Sequence, residues 1–112
     1  MTLSGSPIVK NEEIRNLNTA LIPGKLYKHS KEYNDFYFGN LVVNHIFFTI
    51  GDNFELVSIN ENDIFIFIKL KSFLDEETNI WGVTYTFLYG KNFIESFYEQ
   101  QYIERIVLFE TI

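Results

Sequence analysis

The chain has 112 residues, of which 46% are hydrophobic and 18% aromatic, so it suits one folded domain rather than a disordered chain. Fifteen acidic and nine basic side chains give a formal net charge of −6, which argues against general binding to phosphate backbones. Because the chain has no cysteine, disulfides and thiolate sites are excluded.

The N-terminal region is predicted to contain a flexible tail and the one helix of the chain. Residues 1–10 are rich in serine and glycine and are typical of a tail. Residues 11–21 are predicted as a short helix, with Ile14, Leu17 and Leu21 at helical spacing. No signal peptide and no stretch of roughly 18–20 apolar residues is found, so we expect a soluble, cytoplasmic protein that does not enter a membrane.

From residue 25 onward the pattern is that of β-structure. Eight short runs are rich in β-branched and aromatic residues and are separated by polar or glycine-containing turns. They cover residues 26–29, 33–38, 41–50, 54–59, 64–73, 81–89, 93–98 and 102–109. We therefore predict a single mainly β domain over residues 11–112, a small antiparallel β-barrel or sandwich of seven to eight short strands with one short N-terminal helix.

The fifth run, residues 64–73, is apolar on both faces through its first half. Strict alternation places Phe65, Phe67, Lys69 and Lys71 on one face. A strand that is apolar on both faces must be covered on both, either within the monomer or by a partner. Together with Phe47 in an earlier run, these four residues are the candidate interface residues, since aromatic side chains are enriched at protein interfaces.

No set of residues points to catalysis or to a bound cofactor. His45 lies within a predicted strand, where a structural role is expected, and no nucleophile elbow, zinc helix motif or phosphate loop is present. The acidic clusters at residues 60–63 and 75–77 lack the spacing of a calcium loop and are interpreted as solvated turns. We expect no enzyme, no metal and no cofactor.

The leading hypothesis is a non-enzymatic interaction module that uses an aromatic sheet face and forms a homo-oligomer or binds a protein partner. The most frequent residue types have AT-rich codons, which favours an AT-rich source genome. This suggests a second hypothesis: a small viral or phage protein in the host cytoplasm that binds a host protein or a nucleotide-like small molecule. Trp81, Tyr85 and Tyr89 are the candidate stacking residues for such a ligand. A third hypothesis is a single-stranded nucleic-acid binder of small-barrel type, using Lys69 and Lys71, although the net charge argues against it.

Overall fold

The computed structural model describes residues 6–38, 45–49, 56–59 and 62–112. The helices are α1 (Ser6–Thr19), α2 (Lys31–Phe38) and α3 (Gln100–Arg105). The strands are β1 (Leu26–His29), β2 (His45–Thr49), β3 (Leu56–Ile59), β4 (Phe65–Asp75), β5 (Ile80–Tyr89), β6 (Asn92–Glu99) and β7 (Phe109–Thr111).

The strands form one open antiparallel sheet. Its body is the five-strand arrangement β6-β5-β4-β1-β7, and the short pair β2 and β3 continues it beside β6. The mainly β prediction is therefore confirmed. The expectation of a barrel or sandwich of seven to eight strands is not confirmed, because the five-strand body is open and is covered by helices on one face.

An aromatic core covers one face of the sheet. It includes Phe65 and Phe67 of β4, together with Tyr85 and Phe87 of β5, all of which are buried. The Phe65 and Phe87 rings lie 4.4 Å apart, and the Tyr85 and Phe87 rings are parallel at 5.9 Å. Ile103 of α3 packs into the same core, which places this helix on the same side.

A buried amide connects α1 to the last third of the chain. Asn18 is 1% exposed, and its Nδ2 donates to the carbonyl oxygens of Ile103 at 2.7 Å and Ile106 at 2.8 Å. Its Oδ1 accepts from the Leu108 N–H at 2.8 Å, and its backbone oxygen accepts from the Tyr85 hydroxyl at 2.6 Å. The amide is fully used, as a buried polar group requires.

The predicted strand at residues 33–38 is instead the helix α2. Ser30 acts as its N-cap: the Ser30 Oγ accepts from the Tyr33 N–H at 2.9 Å, and the Ser30 carbonyl accepts from the Asn34 N–H at 3.1 Å. The Ser30 hydroxyl also donates to the Val107 carbonyl. The local cap thus overrides the strand preference of the aromatic residues.

Both ends of the chain also differ from the sequence-based expectation. Helix α1 begins at Ser6, so it includes half of the segment 1–10 expected as a tail, and residues 1–5 lie outside the described range. The predicted last strand at residues 102–109 is divided into α3 and the three-residue β7. Ile103 reaches the core from α3, and Ile106 reaches it from the extended residue that ends this helix.

The other predicted strands correspond to β1 and β2–β6. The predicted hairpin of residues 41–50 and 54–59 is present as β2 and β3, which pair from His45 with Ile59 to Phe48 with Leu56. Residues 39–44, 50–55 and 60–61, including the expected turns, lie outside the described range.

Candidate interaction surface

The face of the sheet opposite the core, called the outer face below, carries large side chains in contact with solvent. Because directly paired residues share a face, the register assigns them to rows across β4, β5 and β6. The rows are Ile66–Leu88–Phe93, Lys69–Thr86–Glu95, Lys71–Thr84–Phe97 and Phe73–Gly82–Glu99. Three of these residues are half-exposed phenylalanines, Phe73 at 45%, Phe93 at 50% and Phe97 at 45%.

An irregularity in β4 decides which side chains reach the outer face. Phe67 pairs with Phe87, but Lys69 pairs with Thr86, so Ile68 is an extra residue of the bulge type. The inward and outward positions exchange beyond it. In a regular strand, residues on one face are two or four positions apart. Leu70 instead packs on the core three positions after Phe67.

The bulge separates the candidate residues that the sequence placed on one face. Phe65 and Phe67 are 1% and 3% exposed and belong to the core, whereas Lys69 and Lys71 are exposed on the outer face. The expectation that these four share a face is therefore wrong. Phe47 lies in β2 and pairs with Val57, and its side chain lies outside the described part of the chain.

The outer-face aromatic pair is positioned by a glycine. A Cβ atom added to Gly82 would lie 2.6 Å from the Phe97 ring and 2.5 Å from the Tyr98 carbonyl oxygen. The Phe97 ring thus covers Gly82 and meets the Phe73 ring edge to face at 5.3 Å. Half of each ring remains in solvent, although their geometry is already set.

An apolar row crosses four strands at the other end of this face. Leu26 of β1 pairs with Ile66, Ile66 with Leu88, and Leu88 with Phe93. Leu26 and Phe93 are exposed, and the two central residues are half-buried. The row extends the apolar surface across the sheet rather than along one strand.

The charges of the outer face are ordered. Lys69 and Lys71 lie on β4, whereas Glu95 and Glu99 lie on β6, with the uncharged β5 between them. Neighbouring strands are about 4.8 Å apart, so the two charged columns are separated by about 10 Å. In the four rows across β4, β5 and β6, the two lysines balance the two glutamates within a chain of net charge −6.

Phe73, Phe93 and Phe97 were not among the residues predicted from the sequence. A signal for two of them is present in residues 92–99, where Phe93, Glu95 and Phe97 alternate with the core residues Ile94, Ser96 and Tyr98. Two phenylalanines at the solvent-facing positions of an amphipathic strand are an indication of a contact surface.

The histidine that the structure describes fully belongs to the core. His29 is 2% exposed and stacks on Tyr33 with 4.7 Å between ring centroids. Its Nε2 lies 3.1 Å from the Tyr98 hydroxyl, and burial, with a smaller contribution from Tyr33, raises the pKa of Tyr98 well above its usual value. The described part of the chain contains no group of three or more His, Asp or Glu residues able to hold a metal ion.

The three aromatic residues expected to stack on a planar ligand do not form one exposed surface. Tyr85 is buried, and the Tyr89 hydroxyl donates to the Asp63 carboxylate at 2.8 Å, a bond that raises the pKa of Tyr89. Trp81 alone is exposed, near the end of the β4–β5 hairpin.

An open cleft lies between the end of α1 and β7. It has a volume of about 400 Å³, and its lining includes Leu17, Ile22, Lys25, Tyr27 and Phe109. The Tyr27 hydroxyl accepts from the Ile22 N–H at 2.8 Å, which fixes one wall. The volume lies in the range of small-ligand sites, and Glu110 and Thr111 also line the cleft.

Comparison with known proteins gave no relative: no family model, no curated protein and no solved structure matches this chain. Among the described residues, no helix is both long and apolar enough to cross a membrane.

Proposed function

We propose that this protein is a non-enzymatic interaction module whose docking surface for another polypeptide is the outer face of the sheet. The observation that supports it is the set of half-exposed phenylalanines, Phe73, Phe93 and Phe97, on one face of the sheet. Isolated exposed apolar residues are ordinary on protein surfaces, but this face carries the Phe73–Phe97 ring pair at one end and the apolar row ending in Phe93 at the other, with charges between them, which is typical of an interface.

The apolar area is sufficient for a complex of moderate affinity. Three half-exposed phenylalanines offer roughly 300 Å² in all, since each ring side chain buries about 200 Å² when fully covered. At about 25 cal/mol per Å², this gives about 7 kcal/mol per copy. Association itself costs about 4–15 kcal/mol, so the surrounding rows and charges must contribute as well.

The test is the mass in solution of the purified protein and of a double variant, Phe73→Ser with Phe97→Ser. The parent is expected above the single-chain mass of 13.3 kDa, as a multiple if it binds itself or as a mixed value if it retains another polypeptide. The double variant is expected at the single-chain mass. Both rings are half exposed, so the fold is retained.

The matched control is Leu17→Ser with Ile22→Ser, which removes two exposed apolar side chains from outside the outer face. It should keep the mass of the parent. If the face variant and the control behave alike, the outer face is not the docking surface.

Single-stranded nucleic acid is a second candidate ligand for the same face. Lys71 shares a row with Phe97 and is two residues before Phe73, and Lys69 lies in the next row, an arrangement that suits a phosphate backbone with stacked bases. Glu95 opposes this, because it lies in the same row as Lys69. Binding of a labelled thymidine oligomer that weakens steeply with salt would support this candidate, and absence of binding at low salt would remove it.

A further inference from the structure

We propose that the partner on the outer face is a second copy of this chain, related to the first by a two-fold axis parallel to β5. This inference rests on the proposed function and adds the identity and orientation of the partner. It follows from the position of the charges: the lysine column on β4 and the glutamate column on β6 lie at equal distances on either side of β5.

Two copies can pack face to face about a two-fold axis that lies in the plane of the interface. This axis runs either across the strands or along them. An axis across the strands would place β4 of one copy over β4 of the other, so Lys69 and Lys71 would face lysines. An axis along β5 places β4 over β6 of the other copy, so each lysine column faces a glutamate column. Like charges in direct opposition are destabilising, which selects the second arrangement.

The rows then match except at the Phe73 end, where Phe73 lies over Glu99 of the second copy. Because the axis runs along the strands, each row of one copy lies over the same row of the other. Lys69 meets Glu95 of the second copy, and Ile66 meets Phe93 of the second copy, while the Lys71 ammonium approaches the Phe97 ring. No pair of like charges is brought together in these rows.

The central strand permits close approach. Its outer positions are Gly82, Thr84, Thr86 and Leu88, of which Thr86 is already buried between its neighbours. Two sheets that pack face to face are separated by about 10 Å and cross at about −30°, so the contacts near the middle rows are the closest. Lys69 and Glu95 lie in one of these middle rows.

Charge exchange tests this arrangement. We would measure the dimer dissociation constant by sedimentation for the parent, for Lys69→Glu, for Glu95→Lys, and for an equimolar mixture of the two variants. Each variant alone places like charges opposite one another twice per dimer, so its dissociation constant should rise about tenfold or more. In the mixture, each Glu introduced at position 69 faces a Lys introduced at position 95, and the remaining Lys69 faces the remaining Glu95.

The mixture should therefore form a heterodimer with about the affinity of the parent. The control Lys91→Glu makes the same change in net charge at an exposed turn and should keep the affinity of the parent. A dimer that is lost in Phe73→Ser with Phe97→Ser but is not rescued by the mixture overturns this orientation while leaving the docking surface intact. A parent that stays at the single-chain mass at all concentrations overturns the second copy as partner.

Discussion

Replacement of Asn18 by leucine should remove much of the stability of the fold. The change keeps the approximate volume but leaves the Leu108 N–H and the carbonyls of Ile103 and Ile106 without their partner in the interior. Each buried polar group that loses its hydrogen bond costs about 1–3 kcal/mol. Since carbonyls tolerate the loss better than an N–H, we expect about 3–5 kcal/mol in total, against a usual stability of about 5–15 kcal/mol.

Urea unfolding followed by the fluorescence of Trp81 measures this loss. The urea concentration at the midpoint should fall, while the slope of the unfolding free energy against urea concentration stays the same. The control is Asn16→Leu, an exposed asparagine in the same helix, which should change the free energy of unfolding by less than about 0.5 kcal/mol. A loss below about 1 kcal/mol for Asn18→Leu would show that the amide does not connect α1 to α3 and β7 as described.

Three further predictions concern pH, a helix cap and a glycine. Burial raises the pKa of Tyr85 and Tyr98 above the usual value of about 10, so the folded state holds two protons that the unfolded state releases. Stability should therefore fall as pH rises above about 10, and absorbance at alkaline pH should show both tyrosines titrating only on unfolding; a pH-independent midpoint between pH 9 and 11 would contradict this. Ser30→Ala removes the cap of α2 and should cost about 1–2 kcal/mol in urea unfolding, whereas an unchanged midpoint would deny the cap its role. Gly82→Val should displace the Phe97 ring and lower stability by at least about 1 kcal/mol, and a crystal structure with that ring unmoved would refute the close contact.

The sequence predicted the central part of the sheet because local pattern and packing agree there. Residues 93–98 alternate between core and solvent positions, and in residues 81–89 the alternate residues Val83, Tyr85 and Phe87 belong to the core; the two runs correspond to β6 and β5 within one residue at each end. Residues 33–38 were misassigned because their aromatic residues favour strands, whereas the Ser30 cap and the packing of Tyr33 favour a helix.

The bulge in β4 could not be read from the sequence. Residues 64–71 continue to alternate between two sets of positions across it, and a single extra residue exchanges the two faces without changing that pattern. The sequence therefore located an aromatic sheet face near Lys69 and Lys71 but assigned the wrong phenylalanines to it. Phe65 and Phe67 form the core, and Phe73, Phe93 and Phe97 take their place outside.

The docking of two copies through the outer face is tested most directly by the rate at which its lysines react with an amine-selective reagent over a range of protein concentrations. Lys69 and Lys71 are exposed in the single chain and become covered in the complex, whereas Lys25 and Lys91 lie outside the outer face. We predict that labelling of Lys69 and Lys71 slows as concentration rises while labelling of Lys25 and Lys91 stays constant. If the labelling rates of all four lysines depended on protein concentration in the same way, docking through this face would be contradicted.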